Sequence, residues 1–144
     1  NTASTVAIDT SVVATRDYIM SRLNDDQVML VDARTPEEYT GTKRLSTRSG
    51  HIPGAVNLNW LDTIDANNHL RLKPRRILKD MLEARRILPT REIITYCQTH
   101  HRSAHTWILL KSLDYPTVRG YSGSWSEWGN DPETPIQILS EANP

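Results

Sequence analysis

The chain has 144 residues, 17 basic and 17 acidic side chains, zero formal net charge and one cysteine. That length suits one domain over residues 1–144 with a real core, expected from about 12 to 131, and the charge balance gives no bulk argument for nucleic acid or an anionic membrane. A single thiol excludes an internal disulfide and accords with a reducing, cytoplasmic setting; no apolar run is long enough to cross a bilayer and no signal peptide is read.

The chain opens on Asn1 and not on Met, so the expectation is a chain processed, trimmed or cut from something longer. In chain order, "VVAT" at 12–15 reads as a short strand whose Thr15 caps a helix through Leu23, with Ile19 and Leu23 on one face. "VMLVDAR" at 28–34 is a near-continuous apolar run, as in a strand covered on both faces. "TPEE" then places Thr35 as N-cap, Pro36 at the first helical position and Glu38 as the return arm of a capping box. A long polar loop from Gly41 to Gly54 carries Lys43, Arg44 and Arg48, and "AVNLN" at 55–59 is the next strand.

An amphipathic helix is expected from about Pro74 to Leu88. Its apolar stripe is Ile77, Leu78, Met81, Leu82 and Leu88, opposite Arg75, Arg76, Lys79 and Arg86. With Arg85, that basic side reads as a solvated face; a docking surface for a carrier protein or RNA is the sharper alternative. "EIITYC" is a strand, "RSAHTWILLKSL" a helix, "TVRG" a strand, "SWSEWG" a helical turn, and the last dozen residues a tail. Strands alternating with helices predict an α/β fold: an open, mostly parallel five-stranded sheet with helices on both faces. In such sheets ligands bind beyond the carboxyl ends of the strands, where Asp32 and Cys97 stand.

Four residues, Gln98, Thr99, His100 and His101, separate Cys97 from Arg102, with a helix starting at about Arg102 or Ser103. A short strand-to-helix loop curls its N–H groups inward and adds them to the positive helix end. A thiol at the base of such a nest is expected to be a thiolate near neutrality, and the same donors stabilise negative charge attached to the sulfur. Two other readings stand beside this one. A cysteine at a strand end is often only core, although the polar stretch Gln-Thr-His-His-Arg that follows is unusual for a core cysteine. Cys97 with His101 and His105 also makes three zinc ligands, one short of the usual structural set; no metal is expected.

"LVDART", "EEY" with Gly41 after it, "GHIPGAVNL", "TYCQTHHRSAH" and "GYSGSWSEWGN" occur in one order from about Val12 to Asp131, and on these blocks the chain resembles the rhodanese family of sulfurtransferases. "GSWSEWGN" is most similar to the catalytic, C-terminal half of two-domain thiosulfate and mercaptopyruvate sulfurtransferases. The chain is then that half, once linked to an inactive N-terminal rhodanese domain, or a single-domain member. The resemblance implies that Cys97 takes a sulfane sulfur from a donor, holds it as a persulfide, and passes it to an acceptor such as cyanide or a thiol. Gln98, Thr99, His100, His101, Arg102 and Ser103 would form the cradle. Partners are a small-molecule donor and acceptor, with a thiol or protein acceptor in view, and neither nucleic acid nor membrane; no cofactor is called for.

The loop "QTHHR" matches neither the basic pattern of thiosulfate-specific members nor the Gly-Ser-Gly-Val of mercaptopyruvate-specific ones. Some two-domain members place an anion-holding arginine six positions after the strand-end aspartate, where this chain has Glu38. The donor's anionic end is therefore expected to meet Arg102, Lys43, Arg44, Arg48 or the histidines, and thiosulfate is the expected donor. Asp32 and Arg34 occupy the family's Asp-x-Arg and read first as a strand-end hydrogen-bond network. His51 is expected to fix its loop by hydrogen bonding, and Trp125 to pack in the core or wall the pocket. The competing functions are a phosphatase or arsenate reductase of related fold, whose loop is one residue longer, and a non-enzymatic rhodanese-like binding module, which commonly lacks the cysteine.

Overall fold

The computed structural model describes residues 6–139. Strand β1 (Val13–Ala14) leads into α1 (Arg16–Met20), β2 (Val28–Asp32), α2 (Pro36–Thr40) and β3 (Val56–Asn57). A two-stranded ribbon, β4 (Ile64–Asp65) and β5 (Arg71–Leu72), precedes α3 (Arg75–Ala84). β6 (Glu92–Tyr96), α4 (His101–Ser112), β7 (Val118–Tyr121) and α5 (Ser124–Trp128) complete the order. The main sheet runs β1-β7-β6-β2-β3 and is parallel at every pairing.

The apolar runs in β2 and β6 form central strands because both of their faces are covered. Along β2, Met29 and Val31 enter one apolar cluster with Leu78 and Leu82 of α3 and Leu109 and Leu110 of α4. Leu30 enters the other, with Ile19 of α1 and Trp125 and Trp128 of α5. β6 divides the same way, Ile93 to the first face and Ile94 and Tyr96 to the second. Each fully buried Leu or Ile contributes about 1.5–3 kcal/mol. Register pairs Asp32 with Tyr96, so the chain leaves both central strands at one level of the carboxyl edge.

Local signals place the helices well and their ends less well. Thr35, Pro36 and Glu38 make the complete capping box, and Gly41 ends α2 at φ 95°. α1 stops at Met20 and α3 at Ala84, short of Leu23 and Leu88, and β3 keeps only Val56 and Asn57 of the expected 55–59. Helix α4 starts at His101, one residue before the expected start. The C-terminal stretch read as a tail is docked over much of its length. Thr134 is buried, the Trp128 indole donates to the Pro135 carbonyl, and His51 and Gln137 exchange backbone hydrogen bonds at 2.9 Å in both directions. No helix among the described residues is long and apolar enough to cross a membrane.

Candidate active site

β6 delivers Cys97 at its carboxyl end, where the residue is only 1% exposed. The start of α5 holds the loop from behind. The Cys97 N–H donates to Ser124 Oγ at 3.2 Å, while the carbonyls of Cys97 and Gln98 accept from the N–H groups of Trp125 and Ser126, both at 2.9 Å. With those carbonyls turned toward α5, the N–H groups that follow are free to face the other way. Among the described residues, those from Gln98 to Ser103 meet no protein acceptor; the first engaged is that of Ala104, with the His100 carbonyl at 3.0 Å. Six consecutive unengaged donors, three in the loop and three in the first turn of the twelve-residue α4, follow the cysteine, a pattern suited to an anion-binding nest.

His100 closes the ring. It alone in the loop adopts a left-handed backbone (φ 70°), directly before α4. Its Nδ1 lies 2.6 Å from Ser103 Oγ, and the Nε2–Cε1 edge of its imidazole stands against Gly120 of β7. Burial, and secondarily the neighbouring His101, hold the His100 imidazole below the usual histidine range, so it is neutral near pH 7. A Cβ at residue 120 would stand 2.5 Å from His100 Nε2. Gly120→Ala is therefore expected to cost about 1–3 kcal/mol in a denaturant titration and to slow turnover by moving the ring. Unchanged stability and rate would show that the imidazole is free to swing aside.

The rest of the expected cradle is distributed as follows. Gln98 Nε2 donates to Ser46 Oγ at 3.0 Å, joining the long loop to the cysteine loop. Thr99 and His101 are exposed and touch each other, Oγ1 to Nδ1 at 2.9 Å. Ser103 is buried, and its carbonyl accepts from Thr95 Oγ1. Arg102 is engaged in a two-pronged pair with Glu38, at 2.7 and 2.9 Å.

The residues considered for donor binding separate sharply. Asp32 and Arg34 form a buried ion pair at 2.6 Å, and Arg34 also donates to the Gly50 carbonyl and lies over Trp125 at 4.7 Å. Both are buried, and Arg34 also lies 5.7 Å from the Tyr96 ring. Arg48 is engaged with the segment that follows α5. It donates to Trp128 and Asp131 carbonyls and to both the carbonyl and Oγ1 of Thr134, which fastens the C-terminal segment. Trp125 packs in the core, 1% exposed with its indole N–H on the Arg48 carbonyl. Lys43 and Arg44 remain exposed on the long loop.

His51 is buried, stacked on Tyr39 at 3.8 Å, with Nδ1 2.7 Å from the Tyr39 carbonyl. His105 leans edge-on against Trp60. Among the described residues no three His, Cys, Asp or Glu side chains gather as a metal site. Two contributors escaped the sequence reading. Ser124 lay inside what reads as a plain helical turn. Glu38 was already accounted for by its capping box, which concealed its second partner.

Residues 15–131 match the Rhodanese-like domain family. The chain belongs to the rhodanese family. This rhodanese-like chain is 49% identical over 125 residues to a thiosulfate sulfurtransferase of Pseudomonas aeruginosa, an alignment covering 87% of the chain and 45% of that relative. It is 48% identical, over the same shares, to a thiosulfate sulfurtransferase of Azotobacter vinelandii. A Thermus thermophilus protein named sulfur carrier protein TtuD is 35% identical over 140 residues, covering 89% of this chain and 48% of that one. The rhodanese-like chain thus spans about half the length of the curated relatives it matches. Among solved structures, the anaerobic ergothioneine biosynthesis enzyme from Chlorobium limicola superposes with a TM-score of 0.82 at 23% identity, over 91% of this chain and 33% of that one; this likeness concerns the fold.

Proposed function

We propose that this domain is a sulfurtransferase that moves a sulfane sulfur from thiosulfate to a thiophilic acceptor through a persulfide on Cys97. One observation carries the reading: the lone thiol stands directly before six consecutive N–H groups, Gln98 to Ser103, that have no protein acceptor among the described residues. In the first half-reaction the Cys97 thiolate attacks the outer sulfur of thiosulfate. A new S–S bond forms, the old one breaks, and sulfite leaves with the electron pair. The negative outer sulfur now lies where the loop amides converge, and they stabilise it. In the second half-reaction cyanide or a thiol attacks that sulfur, and Cys97 departs as thiolate. The chemistry conserves electrons and protons without an organic cofactor or metal.

Because Cys97 is nearly enclosed, the donor has to be small or to present its sulfur end-on. A protein thiol on a flexible segment meets that condition too, and a relative named as a sulfur carrier keeps a protein acceptor within the proposal. A cytoplasmic setting belongs to the same proposal and rests on the free thiol the chemistry requires. Mass spectrometry tests the core of it. Incubation with thiosulfate is expected to add one sulfur atom to the intact protein, and cyanide to remove it with release of thiocyanate. A protein whose mass never changes would refute the reading.

A further inference from the structure

Glu38 and Arg102 are 64 residues apart in sequence, yet they make the one ion pair that reaches the cysteine loop among the described residues. Glu38 is 2% exposed, and its Oε2 also accepts from the N–H and Oγ1 of Thr35, both at 3.0 Å. The carboxylate cannot turn outward without losing all of these bonds. Burial pushes Glu38 upward, but Arg102 and the Thr35 N–H overcome it and hold the carboxyl at about 2. It is anionic at neutral pH. Arg102 is the second residue of α4, and its hydrogen bonds to Glu38 favour the protonated guanidinium against the opposing effect of burial.

These facts bear on how a negative sulfur is recognised. A free guanidinium at this point would attract any anion near the loop, whatever its shape. Paired in two prongs with a buried carboxylate, it contributes almost no net charge. We propose that Glu38 is the positioning and charge-setting residue of the cysteine loop. It holds Arg102 as a neutralised strut, so that the transferable sulfur is recognised by backbone N–H groups and not by guanidinium charge. The inference rests on the sulfur-transfer reading above and deepens it. It assigns the site to donors whose negative charge lies on or beside the transferred sulfur, as in thiosulfate. Donors carrying a remote carboxylate gain nothing from the neutralised pair.

The test compares the parent with Glu38→Gln, Arg102→Gln and the double variant, measuring kcat and KM for thiosulfate at low and high salt. Glu38→Gln keeps the size of the side chain and an acceptor for Thr35, but releases the charge of Arg102. Its KM is expected to fall about threefold to tenfold and to become steeper in salt, while kcat drops as the strut loosens. Arg102→Gln leaves the carboxylate uncompensated beside the site and is expected to raise KM about tenfold. In the double variant KM should return to within about twofold of the parent, because the two charge effects cancel. A merely structural role would lower stability and kcat and leave KM and its salt dependence alone. Glu38→Gln with the parent's KM and salt dependence would overturn the proposal, as would a double variant that keeps the high KM of Arg102→Gln. Should Glu38→Gln fail to fold, the comparison of Arg102→Gln with the double variant decides the question. A parent that turns over while the variants miss these shifts overturns this inference alone; a parent that never loads sulfur overturns the reading beneath it.

Discussion

Replacing Cys97 by Ser is expected to abolish both half-reactions while leaving the fold intact. The substitution exchanges sulfur for oxygen at a buried position of nearly the same shape, and the backbone bonds of residue 97 to Ser124 and Trp125 do not involve the side chain. A serine hydroxyl ionises far above neutrality and no base stands ready to activate it. His100 is occupied with Ser103 and packed on Gly120, and His101 faces solvent with Thr99. The expected result is no mass gain from thiosulfate, no thiocyanate, and a thermal transition within a few degrees of the parent. Residual turnover in this variant would place the sulfur elsewhere. Since Cys97 is the only cysteine in the chain, no second thiol can stand in for it.

Inserting one glycine between His100 and His101 is expected to remove most of the sulfurtransferase activity. Four residues lie between Cys97 and Arg102, and the N–H groups of so short a loop are expected to converge on about one atom. A single sulfur suits that geometry. A tetrahedral phosphate spreads its oxygens and needs donors set further apart. The insertion falls between the left-handed His100 and the first residue of α4, so glycine accepts the new backbone angles with little strain. It also breaks the spacing that brings His100 onto Ser103, and it moves Arg102 relative to Glu38. Weak hydrolysis of small aryl phosphates is expected to emerge, with none in the parent. Strong phosphatase activity in the parent would reverse the ranking of functions. An insertion variant that still transfers sulfur at the parental rate would show that ring size does not select the substrate.

What the sequence determined by itself was local. The apolar runs at 28–32 and 92–96 declared central strands because each must hide both faces, and the alternation of strand and helix required parallel pairing. Thr35, Pro36 and Glu38 specified a helix start within four residues, and the count from Cys97 to Arg102 set the size of the loop. These signals survive because they depend on neighbours in the chain. The ribbon of β4 and β5 left no such trace, since two-residue strands are too short to show a period.

Charge partners were decided only by the tertiary structure. An arginine seeks whichever carboxylate or carbonyl the sheet order brings near, and sequence spacing does not report that distance. For Arg48, only the fold shows that its guanidinium bonds run to the carbonyls of Trp128, Asp131 and Thr134 and to Thr134 Oγ1. Arg102 read as an anion site until the register of β2 beside β6 set α2 against the cysteine loop and gave it Glu38. Ser124 became the acceptor of the Cys97 N–H for the same reason, because β7 packs beside β6 and returns the chain to the same edge. The candidate nucleophile was proposed from one cysteine and its polar loop; the ion pair beside it required the fold.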